Sequence, residues 1–230
     1  AGLATDGDAD RIGLYNSKGE FVDSHHIILL LLLYLNKSKK LKGKVVVAAS
    51  TTPRVVRLAK ILELPHDTVK VGFKYIAQQM IEEDVLIGGE ESGGIAIKGH
   101  IPERDGIWMG LVLFEYMAKS GKSLEELIEE VYGLVGEFKY WRDDLHIDEK
   151  VKNDIVKKCN KDEYQSFGKY TVQSIDKTDG FKFILSDDEW LMIRPSGTEP
   201  VLRCYAESKD LKGAKNILSA CKEEIGVKEA

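Results

Sequence analysis

The feature of this sequence that most constrains its fold is an alternation of short apolar strands with amphipathic helices between about residues 44 and 88. A β-branched strand is predicted from Lys44 to Ala49. The helix after it begins at Thr52-Pro53, where a Thr N-cap precedes Pro in the first helical position. The order recurs at once, with a strand from Val69 to Val71, a helix that carries Phe73, Ile76, Ala77 and Met80 at helical spacing, and a strand from Val85 to Gly88. Such alternation indicates a layered α/β domain with a mixed sheet.

Further elements are predicted on either side of this core. A strand pair is predicted from Arg11 to Tyr15 and from Glu20 to Val22, joined by a Gly-containing turn, and a helix is predicted from about Ser24 to Asn36. Two more helices follow the core, one around residues 107–114 and one that begins at the capping box of Ser123 and Glu126. These helices supply the covering layers that an α/β sheet requires.

The pattern changes after about Gly136. A strand is predicted from Lys139 and a helix from Asp148 to Asn160. Three or four strands are then predicted between Tyr170 and Ser208, with a final helix that carries Ala214, Ile217, Leu218 and Cys221. Helices that bracket consecutive antiparallel strands indicate a smaller α+β domain whose sheet is covered on one face. The change of pattern therefore divides the chain into an α/β domain that ends at residue 136 and an α+β domain at 137–230.

Composition narrows the class of partner. The chain has 230 residues, 43% of them hydrophobic and 31% charged, with a net charge of −5. This balance argues against a surface that coats nucleic acid and favours a small-molecule partner. Three widely spaced cysteines indicate neither a disulfide framework nor a structural zinc site, so reduced thiols and a cytoplasmic location are expected. The strongest apolar run, Ile27 to Leu33, is too short for a membrane span.

Three carboxylates stand at alternate positions in the segment Thr5-Asp6-Gly7-Asp8-Ala9-Asp10-Arg11. In an extended loop, residues two apart project to the same side, so Asp6, Asp8 and Asp10 are predicted to converge on one hard cation such as Mg²⁺. The same spacing also opens a calcium-binding EF-hand loop. That loop requires Gly at its sixth place and Glu at its twelfth, which here hold Arg11 and Ser17. An acidic surface turn is the remaining alternative.

A second loop, Gly88-Gly89-Glu90-Glu91-Ser92-Gly93-Gly94, follows an apolar strand. Its two glycine pairs allow the backbone to approach a ligand closely. If the loop is extended, Glu90 and Ser92 face the same way and offer an acceptor and a hydroxyl to adjacent sugar hydroxyls, while Glu91 points elsewhere. The alternative is a solvated turn with two surface glutamates.

A third loop, Arg194-Pro195-Ser196-Gly197-Thr198-Glu199-Pro200, lies between two predicted strands. Arg194 is suited to bidentate phosphate binding, Ser196 and Thr198 supply hydroxyls, and a turn around Gly197 presents backbone N–H groups as an anion nest. Arg203 adds positive charge nearby. The alternative is a plain Pro-Ser-Gly turn.

The three loops together, in this order and on separate structural units, resemble those of the phosphohexomutase superfamily, meaning phosphoglucomutase and phosphomannomutase. The resemblance spans residues 4 to 205, and it implies that residues 1–22 are the end of a preceding domain that carries the metal loop, so that the α/β sugar-binding domain comprises residues 23–136 and the α+β phosphate-binding domain residues 137–230. It implies that Asp6, Asp8 and Asp10 hold Mg²⁺, with Arg11 beside the metal and the substrate, and that Glu90 and Ser92 bind sugar hydroxyls. It also implies that the third loop holds the phosphate that is not reacting, through Arg194, Ser196, Gly197 and Thr198.

Two further segments are compared with the family. Lys70-Val71-Gly72-Phe73-Lys74 lies where the family has a lysine-bearing turn before a helix. Lys70 is matched to an active-site lysine with an acid/base or charge-stabilising role, and Lys74 is a second candidate. His100 and Arg104 lie between the second loop and the next helix, where a solvated loop is favoured over a place in the site.

One departure from the family pattern sets the expected activity. Family members carry a phosphorylated serine in a T-A-S-H-N-P-like loop of an amino-terminal domain, and Ser50-Thr51-Thr52-Pro53 does not fit because the His-Asn pair is lacking. We therefore expect the chain to be the carboxy-terminal part of a longer Mg²⁺-dependent isomerase, and to bind more than it catalyses on its own. The parent enzyme would interconvert hexose 1-phosphate and hexose 6-phosphate, with glucose or mannose as the sugar, through the phosphoserine and a bisphosphate intermediate.

Two alternatives to this activity remain open from the sequence. One is a non-catalytic sugar-phosphate-binding protein that has kept the family's loops without the nucleophile. The other is a phosphoglucosamine mutase, although glucosamine-specific relatives more often show Gln where this chain has Glu91.

Overall fold

The strands and helices predicted between residues 44 and 88 form a mixed β-sheet that is the centre of the first part of the molecule. The computed structural model describes residues 1–197 and 199–227, and it divides the chain into two units, Ala1–Gly136 and Glu137–Ala230. Each unit is described by itself. The finer division of the first unit at residue 22 stays a prediction.

The elements of the first unit follow the predicted order. Its strands are β1 (Gly2–Thr5), β2 (Ile12–Tyr15), β3 (Phe21–Val22), β4 (Lys44–Ala48), β5 (His66–Val69), β6 (Val85–Gly89) and β7 (Ile95–Ile97). Its helices are α1 (Ser24–Leu33), α2 (Pro53–Ile61), α3 (Phe73–Glu82), α4 (Gly106–Ser120) and α5 (Leu124–Val135), and α1 continues into a π-helical turn at Tyr34–Ser38.

The main sheet has the strand order β5-β4-β6-β7. Strand β4 pairs in parallel with both β5 and β6, whereas β7 pairs antiparallel with β6. The carboxyl ends of three strands therefore meet at one edge, which is where open α/β sheets bind ligands. A smaller antiparallel sheet of β1, β2 and β3 carries the segment that contains Asp6, Asp8 and Asp10.

Helix α1 lies at the centre of the hydrophobic core of the first unit. All of its residues are buried, and it contacts α2, α4, α5 and β6. Because a helix that is apolar on every side belongs in the interior, the run Ile27 to Leu33 forms the centre of this core. No helix among the described residues is both long enough and apolar enough to span a membrane.

Three elements of the first unit differ from the sequence prediction. Strands β1 and β7 were not predicted, since Gly-Leu-Ala-Thr has little β-propensity and β7 has only three residues. Strand β5 begins at His66 and ends before Lys70, because its polar first residues occupy a sheet edge that tolerates them.

The second unit is an antiparallel sheet covered by helices. Its strands are β8 (Lys139–His146), β9 (Ser166–Phe167), β10 (Tyr170–Thr171), β11 (Ser174–Asp176), β12 (Phe181–Ile184), β13 (Trp190–Pro195) and β14 (Val201–Ser208), and its helices are α6 (Glu149–Asn160) and α7 (Leu211–Ile225). The main sheet has the order β11-β12-β13-β14-β8, and β9 pairs with β10 in a separate ribbon. Five strands lie between Tyr170 and Ser208, rather than the three or four predicted.

One face of this sheet forms the core of the second unit. Phe183, Leu191 and Cys204 from the strands pack with Cys159 of α6 and Cys221 of α7 in one buried cluster. All three cysteines are free thiols, and burial raises the pKa of Cys159 to about 12. The predicted fold class is confirmed, with a mixed α/β unit followed by a smaller unit whose antiparallel sheet packs against helices.

Candidate functional site

The candidate site of the first unit begins at the carboxyl edge of the main sheet. Ser50, Thr51 and Thr52 follow β4, Lys70 follows β5, and Glu90 follows β6. Because β4 is parallel to both of its neighbours, these segments emerge side by side. The edge is also the point where the strand order reverses, which is the usual place for a ligand in such a sheet.

Glu90 is a buried carboxylate that is only 5% exposed. The backbone N–H of Gly72 donates a hydrogen bond to Glu90 Oε1 over 2.7 Å. Gly72 is the N-cap of α3 and has a φ of 128°, which favours glycine, and a helix N-terminus favours negative charge. Burial raises the pKa of Glu90, and the hydrogen bond from Gly72 opposes that rise. The carboxylate is thus fixed in place as an acceptor.

The segment after Glu90 is a turn rather than the extended loop assumed from the sequence. The N–H of Gly93 donates to the carbonyl of Glu90 over 3.2 Å, which closes the turn. Ser92 is exposed at its tip. Ser50 Oγ donates to Glu91 Oε2 over 2.5 Å, and Ser24 Oγ donates to the Glu91 carbonyl oxygen. Glu91 is thus held by two serines, one that follows β4 and one at the start of α1.

The loop between β1 and β2 gathers three carboxylates. One oxygen from each of Asp6, Asp8 and Asp10 lies within 4.8 Å of the others. The loop is a turn, since the N–H of Ala9 donates to the Asp6 carbonyl over 3.2 Å and Ala9 has a φ of 59°. The extended conformation assumed from the sequence was therefore wrong. The carboxylates converge because the chain curls around them.

Asp10 shows that the loop fits a cation. Its Oδ1 is buried and accepts no hydrogen bond within the described part of the chain. A buried carboxylate oxygen without a donor is costly, and a hard cation that takes oxygen ligands removes that cost. The pKa of Asp10 is raised, mainly by loss of solvation, while Arg104 opposes the rise and Asp8 and Asp6 add to it.

The alternative of a calcium-binding EF-hand does not fit this loop. Strands β1 and β2 flank it, and they pair directly with each other. An EF-hand requires a helix on each side of its loop. The alternative was therefore wrong.

The loop of Asp6 and the turn of Glu90 are joined by backbone contacts. The N–H of Ile12 donates to the carbonyl of Gly93 over 3.1 Å, and Arg11 forms an antiparallel β-bridge with Gly94. Gly93 has a φ of 101°, and a Cβ there would lie 2.8 Å from the Ile12 carbonyl oxygen. Glycine is therefore required at this junction, which places the two predicted loops next to each other.

Arg11 follows the loop that contains Asp6, Asp8 and Asp10, which we call the acidic loop, and its side chain lies along it. Its backbone N–H donates to Asp6 Oδ1 over 3.1 Å. Its Nε is 3.5 Å from Asp6 Oδ2 and 3.6 Å from Asp10 Oδ1. About half of the side chain is exposed, so the guanidinium remains accessible to an anionic ligand.

Arg104 contacts the acidic loop, whereas the sequence analysis favoured a solvated loop at this position. Its guanidinium is 2.8 Å from Asp10 Oδ2 and lies over the Phe73 ring at 5.5 Å from the ring centre. Its stem crosses Gly94, where a Cβ would lie 2.4 Å from Arg104 Cδ. His100 has a different role, because its Nε2 contacts Asp105, the N-cap of α4, over 2.8 Å.

The two lysines of the predicted turn are exposed. Lys70 directly follows β5 at the carboxyl edge, in line with its predicted position. Lys74 lies in the first turn of α3, with its Nζ 5.0 Å from the centre of the Tyr75 ring. The structure places Lys70 at the same sheet edge as Glu90, whereas Lys74 lies along the helix.

The second unit carries a cationic loop between β13 and β14. Arg194 and Arg203 are directly opposite in the strand register, so two like charges share one face of the sheet. Arg194 Nε is 3.1 Å from Asp179 Oδ2, and Arg203 Nη2 is 3.5 Å from Glu199 Oε2. Arg203 Nε lies 3.9 Å from Asp144 Oδ2, which is too far for a hydrogen bond. Arg203 Nε is buried and has no hydrogen-bond acceptor among residues 1–197 and 199–227. An oxyanion would satisfy this donor and relieve the repulsion.

The backbone of this loop is held by Lys152 of α6, a residue that the sequence analysis missed. Lys152 is a buried residue of α6, and its Nζ donates to the carbonyl oxygens of Ser196 at 3.3 Å and Glu199 at 3.2 Å. The N–H of Glu199 donates to Ser196 Oγ over 3.2 Å, and Gly197 is exposed. Thr198, also predicted to bind phosphate, lies outside the described residues.

A signal for Lys152 was present in the sequence. Lys152, Ile155 and Cys159 are the buried residues of α6, at a spacing that marks one helix face. A lysine in an apolar register needs partners for its charge.

Two family models match the chain. The model described as phosphoglucomutase/phosphomannomutase, alpha/beta/alpha domain III, matches residues 23–134. The model described as phosphoglucomutase/phosphomannomutase, C-terminal domain, matches residues 146–223. One matched segment lies in each unit.

Curated relatives are similar along almost the whole chain. A phosphoglucomutase/phosphomannomutase from Thermococcus kodakarensis is 30% identical over 227 residues, which is 99% of this chain and 46% of the relative. A phosphoglucosamine mutase from Rubrobacter xylanophilus is 29% identical over 227 residues, 98% of this chain and 46% of the relative. The chain thus spans about half the length of the curated relatives it matches.

Solved structures show the same architecture. A structure from Thermus thermophilus assigned as a phosphomannomutase aligns with a TM-score of 0.81 at 32% identity, over 97% of this chain and 45% of that one. N-acetylphosphoglucosamine mutase from Aspergillus fumigatus, in complex with GlcNAc-6P and magnesium, aligns with a TM-score of 0.64 at 17% identity, over 98% of this chain and 52% of that one. The second likeness concerns the fold alone.

Proposed function

The chain belongs to the phosphoglucomutase/phosphomannomutase family, and from this premise we propose that it forms the metal-, sugar- and phosphate-binding part of a phosphohexomutase. The reaction is the interconversion of hexose 1-phosphate and hexose 6-phosphate. One observation carries the proposal. The Arg11–Gly94 bridge joins a three-carboxylate loop, whose buried Asp10 Oδ1 has no donor in the described chain, to the turn that holds Glu90.

Asp6, Asp8 and Asp10 are proposed to hold Mg²⁺. The ion would neutralise negative charge that develops on phosphoryl oxygens. The protein fixes its carboxylates in advance, because the N–H of Arg11 donates to Asp6 and the guanidinium of Arg104 contacts Asp10. Arg11, with half of its side chain exposed beside the loop, is proposed to contact the reacting phosphate.

Glu90 and Ser92 are proposed to bind the sugar. A carboxylate held by the Gly72 N–H keeps its second oxygen for sugar hydroxyls, and the exposed Ser92 supplies a hydroxyl from the same turn. Lys74 is a further substrate-binding candidate. Lys70, at the end of β5, is proposed to stabilise charge or to act in proton transfer.

The second unit is proposed to bind the phosphate that is not reacting. Arg194, Ser196, Gly197, Thr198 and Arg203 form the proposed set. The support is the pairing of two arginines across β13 and β14, together with a buried Arg203 Nε that lacks an acceptor among the described residues. The Lys152 ammonium, which also pairs with Glu149 over 2.8 Å, donates to two carbonyl oxygens of the loop and so supports its backbone.

The activity of the whole enzyme involves more than this chain. We propose that an amino-terminal part of the same polypeptide supplies a phosphoserine, which passes its phosphoryl group to the substrate and forms a bisphosphate intermediate. The chain's coverage of 46% of two curated relatives supports this division. A cytoplasmic location is proposed as well, in keeping with three buried free thiols.

Glucose or mannose phosphate is the proposed substrate, with glucosamine phosphate as the second candidate. The similarity to a phosphoglucosamine mutase favours the second candidate. Glu91 does not separate the two, because Gln at its place would also accept the hydrogen bond that Ser50 donates.

The proposal is tested first by binding. The chain is titrated calorimetrically, with Mg²⁺ present, against glucose 1-phosphate, mannose 1-phosphate and glucosamine 6-phosphate. Arg194→Gln should weaken binding of the preferred sugar phosphate about tenfold, the scale of one lost charge-assisted hydrogen bond. Glu90→Gln should weaken the binding of sugar phosphates without affecting the binding of inorganic phosphate. Arg57→Gln removes an arginine that donates to the Val135 carbonyl, and it should leave binding unchanged.

The second test is turnover by the complete gene product that contains this chain. Conversion of one of the three sugar phosphates, abolished by Asp8→Asn, is the expected result. Tight binding without conversion of any of them would identify a sugar-phosphate-binding protein instead.

A further inference from the structure

Arg104 connects three parts of the first unit. Its guanidinium is 2.8 Å from Asp10 in the acidic loop, and it lies over the ring of Phe73 at the start of α3. Its stem lies against Gly94, where any Cβ would be 2.4 Å from Arg104 Cδ. Glu103 also contacts Arg104 Nε at 3.3 Å. The side chain is thus held in one orientation by charge, ring and backbone contacts together.

The two oxygens of Asp10 have different surroundings. Oδ2 is the oxygen that Arg104 contacts. Oδ1 is buried and accepts no hydrogen bond from any residue that the structure describes. Arg11 Nε approaches Oδ1 only to 3.6 Å. Asp10 therefore offers one oxygen to a cation while the other is occupied.

This asymmetry bears on which cation the loop accepts. Mg²⁺ requires a near-octahedral set of about six ligands and usually takes one oxygen from each carboxylate. Ca²⁺ is larger, accepts about six to eight oxygens, and often binds both oxygens of a carboxylate. An arginine that occupies Oδ2 removes the second oxygen that Ca²⁺ would use.

We propose that Arg104 is a positioning residue that restricts Asp10 to one metal-facing oxygen and thereby makes the acidic loop select Mg²⁺ over Ca²⁺. The inference rests on the proposed magnesium site and adds to it a determinant of metal selectivity outside the acidic loop. Gly94 contributes to this selectivity, because only a residue without a side chain leaves room for the aliphatic part of the Arg104 side chain.

The test measures cation binding rather than catalysis. Mn²⁺ is bound to the chain and detected by water-proton relaxation, and Mg²⁺ or Ca²⁺ is titrated as the competitor to obtain both affinities. In Arg104→Gln, both cations gain from the loss of a nearby positive charge, but Ca²⁺ gains more because Oδ2 is released. The ratio of Mg²⁺ to Ca²⁺ affinity is expected to fall about tenfold.

Two further variants distinguish the effect of the Arg104 contact with Asp10 from the effect of losing one positive charge. Lys39→Gln removes one positive charge from the same unit at a residue paired with Glu115, and it should leave the ratio unchanged. Arg104→Lys keeps the charge but has no planar fork, so its ratio should also fall. It replaces Arg104→Gln as the deciding variant if circular dichroism shows that the glutamine variant is unfolded.

The outcomes distinguish the two proposals. A ratio within about twofold of the wild-type value in the deciding variant overturns the role of Arg104, and so does an equal fall in Lys39→Gln. A larger fall confined to the Arg104 variants supports it. If the wild-type chain binds neither Mn²⁺ nor Mg²⁺, the magnesium site itself is overturned.

Discussion

At the scale of single residues, burial decides the protonation of Glu90. The pKa of this carboxyl is raised by burial, while the Gly72 N–H and the charges of Arg104 and Arg11 oppose the rise. In the unfolded chain the pKa returns to its ordinary value near 4.5. The folded state therefore binds more protons than the unfolded state in the pH range above 4.5. In that window the free energy of unfolding falls as pH rises through the folded pKa.

This pH dependence predicts how the Glu90→Gln substitution changes the free energy of unfolding. Glutamine keeps a carbonyl oxygen for the Gly72 N–H but cannot ionise, so it lacks the cost of burying a charge. The variant should gain stability relative to wild type as pH rises from about 4 to 7, with little difference at the acidic end. Urea unfolding at a series of pH values measures this difference. A constant difference across the series would contradict the prediction.

The acidic triplet could be predicted from the sequence because its three carboxylates are neighbours in the chain. Arg104 could not be predicted in the same way. Its contact with Asp10 depends on the β6–β7 hairpin, on the missing side chain of Gly94, and on a ring from α3, none of which a local pattern contains. The turn conformations of both loops were missed as well, because a positive φ at Ala9 is not encoded by its residue type.

At the scale of elements, α6 supports the phosphate loop through one buried lysine. Its ammonium donates to the carbonyls of Ser196 and Glu199, on either side of the loop tip. Lys152→Met should keep the helix, since Met packs in an apolar register. It removes the donor to two carbonyls and the ammonium that pairs with Glu149, so the loop loses support and gains an unpaired negative charge nearby. The affinity for inorganic phosphate should fall about tenfold.

The matched control lies on the same helix. Lys158→Met changes an exposed lysine of α6 and should leave phosphate affinity unchanged. Calorimetric titration with phosphate compares the two variants, and equal affinities would show that Lys152 has only a structural role.

Elements with strong local signals were predicted well. The Thr52-Pro53 start of α2 and the capping box of Ser123 and Glu126 are both present. The resemblance to the phosphohexomutases, drawn from three short loops, is confirmed by two family models. Short strands were predicted poorly because their stability comes from pairing partners rather than from their own residues.

At the scale of the whole molecule, each unit has its own sheet, and the second unit also has its own buried cluster between sheet and helices. Within the part of the chain that the structure describes, the strands of its main sheet pair only with one another, in the order β11-β12-β13-β14-β8. A segment of residues 137–230 is therefore expected to fold alone and to unfold in one cooperative thermal transition.

The edge strand β8 decides where such a segment must begin. It pairs with β14 along its whole length, from the Lys139–Ser208 pair to the His146–Val201 pair. A segment of residues 147–230 would lack β8. The backbone groups of β14 that face β8 would then be unpaired, on the strand that follows the phosphate loop. An exposed long edge of this kind promotes pairing with other chains. We expect the shorter segment to aggregate, whereas the longer one is monomeric by light scattering and binds inorganic phosphate. Cooperative folding of both segments would show that β8 is dispensable, and a non-cooperative melt of residues 137–230 would show that the second unit does not fold independently.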